Sequence, residues 1–387
     1  MKTIVVSDFK IIIKDKKTYI SNKAISIIRR YFYAFGRLTL VTRETEGTID
    51  DNWFDASDYL ANCITFKKWN EFYGFRFRKI LKNAIKESDI VIGRFSSLAA
   101  LRASAYAKRY KKTFVAEIMS DAWDSLWNHS IKGKLIAPVS FFLTKRAIKR
   151  SNYALYVTES FLQKRYPCFG ESLSASNVFI SDVENNVLDK RISKIESFSL
   201  NEIKFITVGA VSVKFKGQQY MIKSIPLFNK VGINVKYYIV GEGSSRYLKK
   251  VVKKYGVSNQ VFFMGRKTPS EVCSLIDDCD IYVQPSLQEG LPRAVIEAMS
   301  RGCPCFGAKT GGIPELLDLN ATFPRKSPKG IFNSIMNMLN RSDLVALSKR
   351  NFKRSKHYIS EILDSKRDAF LKMIVNDWNI SHKQVTK

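Results

Sequence analysis

Two glutamates, Glu289 and Glu297, bracket a Gly290-Leu291-Pro292 step in the stretch Q-P-S-L-Q-E-G-L-P-R-A-V-I-E, Gln284 to Glu297. Ionised carboxylates accept strong hydrogen bonds from O–H groups, so such a pair suits recognition of a polyol. The apolar run Ile281 to Gln284 precedes the loop, and Pro292 is placed to open a helix, because its fixed φ suits the first turn. The amides of Gly290 and Leu291 then stand at a helix start. There N–H groups and the helix dipole favour an anion or a sugar hydroxyl. Two acids at this spacing are common by chance. The Pro-Ser before them and the Gly-Leu-Pro between them single this stretch out.

Three further loops follow apolar runs. Gly209 to Gly217, G-A-V-S-V-K-F-K-G, carries Lys214 and Lys216 and suits a diphosphate, which needs concentrated positive charge. In so lysine-rich a chain a solvated basic turn is the plain alternative. Gly241-Glu242-Gly243 allows close approach of backbone to a ligand. It is not a G-x-G-x-x-G fingerprint, since Arg246 stands at the third glycine position. Gly265-Arg266 closes the run V-F-F-M and has room for a base ring beside the backbone.

The elements that must position these loops alternate. Short apolar strands are expected at Thr3–Val6, Leu38–Val41, Asp89–Ile92, Thr113–Ile118 and Tyr153–Val157. A second series follows at Lys204–Val208, Val235–Val240, Val261–Met264, Ile281–Gln284 and Cys303–Phe306. Helical patterns lie between them, such as 75–86, 99–110, 219–228, 246–255, 269–277 and 293–301. This alternation predicts an α/β fold of parallel, doubly wound sheets, with ligands beyond the carboxyl ends of the strands. The expected organisation is two Rossmann-like domains, 1–195 and 196–360, facing each other across a cleft. The polar stretch 182–201 reads as a linker between them. A final helical segment, 361–387, is expected to pack back towards the first domain.

A chain of 387 residues suits two domains. No apolar run approaches the roughly 20 residues of a membrane span. The run after Met1 ends at Val6, too short for a secretory leader, so a cytoplasmic protein is expected. Cys303-Pro304-Cys305 sits in an apolar stretch and reads as buried strand rather than a metal or redox motif. His129 reads as structural or surface. The charge is the unusual quantity: 64 basic against 35 acidic residues, a net +29. A surface of that sign attracts nucleic acid, anionic lipid or a phosphorylated substrate.

Taken in order, V-G-A-V…K-F-K-G, I-V-G-E-G, V-F-F-M-G, I-Y-V-Q-P-S-L-Q-E-G-L-P-R-A-V-I-E-A-M-S-R-G-C-P and T-G-G-I-P-E-L resemble the C-terminal domain of retaining glycosyltransferases of family 4, which have the GT-B fold. The resemblance spans Lys204 to Leu317. It implies that Lys214 and Lys216 contact the donor diphosphate and that Glu289 holds donor-sugar hydroxyls. It further implies that Glu297 holds the ribose, that Gly290 and Leu291 touch phosphate or sugar, and that Gly265-Arg266 borders the base. Gly209, Gly241 and Gly243 complete the implied donor site. Such enzymes usually work without a bound metal, so no metal and no cofactor beyond the nucleotide-sugar substrate is expected. The chain departs from the family in having Gly209-Ala210-Val211 where Gly-Arg-Leu is usual, and in a basic loop one residue longer. The first half is similar to enzymes building bacterial surface polysaccharides, on E-I-M-S-D-A-W-D, Y-V-T-E-S-F-L-Q-K-R-Y-P and A-S-N-V-F-I. Asp121 and Asp124 are therefore acceptor candidates, with helix N-capping as the alternative.

The expected activity is hexosyl transfer to a saccharide acceptor linked to a polyprenyl diphosphate, at the inner face of the plasma membrane. Two basic-aromatic stretches, Trp69 to Lys82 and Lys132 to Arg150, suit an anionic bilayer surface. Core-facing helices with solvated basic faces are the alternative. A nucleotide-sugar epimerase of similar architecture is the nearer rival. A basic nucleic-acid-binding protein is the further one, and no nucleic-acid motif supports it.

Overall fold

The structure is a computed structural model, which describes residues 1–128, 131–181, 184–197, 199 and 201–383. It divides into two compact units. Unit 1 comprises Met1–Val157, Leu162–Ala175 and Asp364–Lys387; unit 2 comprises Thr158–Phe161 and Ser176–Leu363. The boundary thus falls at Ala175/Ser176, not at 195. The stretch expected to be a linker holds a helix, Asn186–Ser197. Its Ile195 lies in the core of unit 2. The guanidinium of its buried Arg191 donates to the carbonyls of Cys279 (2.6 Å) and Ile276 (2.7 Å). Val187, Leu188, Ile192 and Ile195 recur at helical spacing, but the flanking polar residues masked that signal.

Unit 1 has a nine-stranded sheet: β1 (Thr3–Lys14), β2 (Lys17–Ser21), β3 (Leu38–Glu44), β4 (Trp53–Asp55), β5 (Leu60–Phe66), β6 (Ile90–Phe95), β7 (Thr113–Ile118), β8 (Tyr153–Tyr156) and β9 (Glu171–Ser174). The order β5-β3-β1-β6-β7-β8-β9 is parallel throughout. Its central strands are nearly all apolar because both faces are covered. The far half of β1 turns back as an antiparallel hairpin with β2, which also pairs with β4. The turn residues Asp15 and Lys16 both have positive φ, the geometry that matches strand twist in a tight hairpin. The helix Ser360–Lys383 places Phe370, Leu371 and Ile374 in the core of unit 1, and Tyr153 donates to Asp377 at 2.7 Å.

Unit 2 has six parallel strands: β10 (Glu202–Val208), β11 (Asn234–Val240), β12 (Val261–Gly265), β13 (Ile281–Gln284), β14 (Cys305–Ala308) and β15 (Thr322–Phe323). Their order is β12-β11-β10-β13-β14-β15. The chain winds from β10 out to β12, then crosses back to β13 on the other side of β10. The strand order therefore reverses between β10 and β13, and the loops that leave these two strands open a crevice at their carboxyl ends.

Candidate active site at the switch point

The crevice is built from three loops held together by backbone contacts. Leu287 N–H donates to the Phe215 carbonyl at 2.7 Å, joining the loop after β13 to the loop after β10. Gly217 ends the basic loop with φ +77°, and a Cβ there would lie 1.9 Å from the Pro285 carbonyl oxygen. Only glycine fits, on both backbone and space grounds. The third loop is T-G-G, Thr310 to Gly312, after β14. Gly312 N–H donates to the Gly290 carbonyl at 2.7 Å and the Thr310 hydroxyl to the Leu287 carbonyl at 3.1 Å. Gly311, at φ +54°, backs onto the Glu289 carbonyl oxygen, which a Cβ would approach to 2.0 Å. The turn carrying Glu289 and Gly290 is thus clamped from both sides.

At the centre stands Glu289. Its Oε1 accepts from Lys216 Nζ (2.8 Å), Ser286 Oγ (2.7 Å) and Gln284 Nε2 (3.2 Å). The amide of Gln284 is oriented by the Tyr282 hydroxyl, which donates to its Oε1, and its Nε2 also donates to Ser286 Oγ at 2.8 Å. Three donors converge on one carboxylate oxygen, which fixes the group. Among the described residues, Oε2 has no donor, and neither the Gly290 nor the Leu291 amide has an acceptor. A fixed carboxylate with an open oxygen beside two open amides is a receptor for hydroxyls and an anion. Tyr282, Gln284 and Ser286 were missed as functional residues. Gln284 and Ser286 lie inside the motif, but nothing in their spacing shows that they hold Glu289.

The two lysines of the basic loop diverge. Lys216 pairs with Glu289, with a quarter of its side chain exposed. Lys214 is exposed and stands over the Tyr247 ring, 4.7 Å from its centroid. Gly209 N–H donates to the Val240 carbonyl (2.8 Å) and Gly241 N–H to the Gly265 carbonyl (2.9 Å), so these glycines knit the strand ends together. Gly243 and Gly265 are exposed beside them. Arg266 is exposed and 3.9 Å from Glu242, a surface pair of little energetic weight.

Glu297 lies inside the helix Arg293–Ser300 and is not part of the Glu289 cluster. It lines a cavity of about 550 Å³ with Phe179, Glu184, Cys273, Arg293 and Arg301. Burial pushes its carboxyl above the usual range, and Arg293, 4.0 Å away, only partly offsets this. Among the described residues no group donates a hydrogen bond to it. A half-buried carboxylate without donors is costly unless a ligand hydroxyl supplies them.

In unit 1, Asp121 is fully engaged by its own unit. It caps the helix Ala122–Trp127 by accepting from Trp123 N–H at 3.0 Å, and it also binds the Tyr166 hydroxyl and the Arg165 guanidinium. It is 3% exposed. The capping alternative describes it. Asp121→Ala is expected to cost about 2–4 kcal/mol, from the lost cap and the stranded Tyr166 and Arg165, with donor affinity unchanged. Thermal unfolding beside a donor titration checks this; unchanged stability with lost turnover would restore the acceptor role. Asp124 lies in the first turn of the same helix. His129 lies outside the described residues.

A family model for glycosyl transferases group 1 matches residues 189–354. Protein CapJ of Staphylococcus aureus is 32% identical over 319 residues, 79% of each chain. The chain belongs to the group 1 glycosyltransferases. A shorter match, 31% identity over 123 residues and 30% of each chain, links this glycosyltransferase to the putative colanic acid biosynthesis glycosyltransferase WcaL of Escherichia coli. HepE of Anabaena, solved in complex with UDP-glucose, aligns at a TM-score of 0.61 with 15% identity, over 96% of this glycosyltransferase and all of that chain. That likeness is one of fold, and the fold of this glycosyltransferase is GT-B. No described helix is long and apolar enough to cross a membrane.

Proposed function

We propose that the protein transfers a hexose from a nucleotide-sugar, with retention at the anomeric carbon, to a saccharide acceptor carried on a polyprenyl diphosphate. The step belongs to bacterial surface-polysaccharide synthesis at the anionic inner face of the plasma membrane. The observation that carries the reading is Glu289, fixed by Lys216, Ser286 and Gln284 at the switch point with one carboxylate oxygen open. WcaL, named for polysaccharide synthesis, and HepE, solved with UDP-glucose, support the substrate classes.

In this mechanism Glu289 Oε2 accepts from donor-sugar hydroxyls, and Glu297 accepts from the ribose hydroxyls that its cavity otherwise lacks. Gly209, Gly241 and Gly243 let the nucleotide approach the strand ends, and Gly265-Arg266 borders the base. Lys216 and the amides of Gly290 and Leu291 meet the diphosphate. Lys214 reaches it by leaving the Tyr247 ring. As the bond from the anomeric carbon to the diphosphate oxygen breaks, negative charge grows on the leaving group. Fixed cations and N–H dipoles stabilise that charge in place of a metal. The acceptor oxygen then bonds to the anomeric carbon from the same face, and its proton passes to the departing phosphate. Asp124, in the first turn of the helix Ala122–Trp127, is the acceptor-side candidate. The anomeric coupling in the proton NMR spectrum of the product tests the stereochemistry. An α-configured donor is expected to give an α-linked product, and a β-linked product contradicts the mechanism.

A further inference from the structure

The helix Ile131–Lys149 of unit 1 has its amphipathicity inverted. It buries Gly133, Ala137, Ser140, Thr144 and Ile148, and exposes Ile131, Leu135, Ile136, Val139, Phe142 and Leu143, each by more than half. A surface helix normally turns its apolar stripe inwards. The other basic-aromatic stretch does turn an apolar stripe inwards: in the helix Phe75–Glu87, Phe77, Leu81 and Ile85 are buried, while Phe75, Ile80 and the preceding Tyr73 are exposed. Six large apolar side chains on one exposed face form a patch of the kind that marks a membrane or partner site.

Next to this face lies a cavity of about 730 Å³, between the helices Leu98–Arg109 and Ile131–Lys149. Leu143 belongs to both the cavity and the exposed face, so the two are continuous. Six cations line it: Arg102, Lys108, Lys111, Lys112, Arg146 and Arg150, over a floor that includes Leu101 and Phe114. Among the described residues no Asp or Glu lines it. Arg102 donates to the Phe72 carbonyl at 2.6 Å. Among the described residues the other five have no carboxylate partner. Lys111 and Lys112 just before β7 and Asn152 just before β8 put it at the amino ends of the strands, away from the carboxyl ends where a switch-point ligand binds. Uncompensated cations around an apolar floor fit a ligand that is anionic at one end and hydrocarbon at the other.

We propose that this helix lies in the surface of an anionic membrane leaflet, with its Ile/Leu/Phe face at the headgroup–acyl boundary, and that the basic cavity holds a phosphate-bearing lipid headgroup. A helix with apolar residues on one side and cations flanking it lies in the interface plane and prefers anionic lipid. Lys134 over Trp127 and Lys149 over Phe169 extend the same pairing of cation and exposed aromatic at the rim. The inference deepens the membrane reading under the proposed function, and it needs nothing from the donor site.

Flotation with phosphatidylcholine vesicles, with and without phosphatidylglycerol, tests it. The wild-type protein is expected to float with the anionic vesicles at low salt and to be released at high salt. The double variant Leu135→Ser/Phe142→Ser, at two exposed positions, is expected to float at least tenfold less. Lys111→Glu/Arg150→Glu is expected to lose the preference for phosphatidylglycerol by at least tenfold. Both variants keep the thermal stabilisation by nucleotide-sugar, which shows them folded. Lys216→Ala floats like the wild type, so failure of the donor site and failure of the membrane site are separable. Four results overturn the proposal. The wild type does not float at low salt. Both variants float as well as the wild type. Inorganic phosphate stabilises the wild type, but not Lys111→Glu/Arg150→Glu, without any vesicle binding. Or vesicles do not bind, while Leu135→Ser/Phe142→Ser converts a self-associated protein to monomer.

Discussion

Lys216→Ala is expected to lower kcat by about 10²–10³, the range seen when one fixed donor to a developing charge is removed. The expectation rests on geometry. Lys216 is held at 2.8 Å from Glu289, at the point where the loops after β10 and β13 meet. Its position is therefore set before the substrate arrives. Because charge on the leaving diphosphate is greater in the transition state than in the bound substrate, the loss falls on kcat more than on KM. Glu289 remains tethered by Ser286 and Gln284 in the variant, so the donor sugar is still held. Lys214→Ala is the internal comparison. Lys214 is exposed and sits on the Tyr247 ring, so its removal is expected to cost less than about tenfold, since an exposed side chain must be ordered before it contributes. Steady-state kinetics of the two variants side by side decide the matter. Equal losses would mean that the resting geometry does not distinguish the two lysines.

Glu297→Gln is expected to stabilise the ligand-free protein and to weaken nucleotide-sugar binding by about 10- to 150-fold, the effect of one hydrogen bond to a charged group. Desolvation raises the carboxyl of Glu297 in the folded state above its unfolded value. A folded carboxyl with a raised pKa takes up a proton more readily than the unfolded one. Its contribution is therefore most favourable below the unfolded pKa, and is lost as pH rises through the folded value. At neutral pH the ionised group costs stability that a glutamine does not. The variant's Tm is expected to exceed the wild type's at pH 7 to 8, and the gap to close as pH falls towards the ordinary carboxylate range. Saturating donor reverses the order, because ligand at a hundred times its Kd adds about 2.7 kcal/mol to the form that binds it. Melting curves against pH, with and without donor, show both effects. A variant less stable than wild type without ligand would contradict the assigned environment of Glu297.

Unit 2 was the more legible half, for a physical reason. Strands buried on both faces are contiguous apolar runs, so Ile281–Gln284 was bounded as observed and Lys204–Val208 missed two residues of β10. The strand expected at Cys303–Phe306 is shifted to Cys305–Ala308. The lost elements are those whose local signal conflicts with their environment. The β1–β2 hairpin turns through Asp15 and Lys16 at positive φ, without the glycine that announces such a turn. The helix Asn186–Ser197 is short and polar-flanked, yet it buries Arg191 and Ile195. In the helix Ile131–Lys149 the residues that read as core are the exposed ones. Of the candidate site, the motif named Glu289 and Lys216, which lie 73 residues apart, but not their pairing. Pairing depends on which strands become neighbours, and the reversal between β10 and β13 is a property of the sheet. Likewise T-G-G-I-P-E-L was recognisable as a string, while its task of clamping the Glu289 turn appears only in three dimensions.

The most direct test of the donor site is a thermal-shift titration of the wild-type protein with UDP-, GDP-, ADP- and TDP-sugars, repeated with Glu297→Ala and Lys216→Ala. At least one nucleotide-sugar is expected to raise the wild-type Tm in a concentration-dependent way. The shift is expected to vanish or shrink sharply in Glu297→Ala and to weaken in Lys216→Ala. No shift with any donor, or an undiminished shift in both variants, would contradict a nucleotide-sugar site at the β10–β13 switch point.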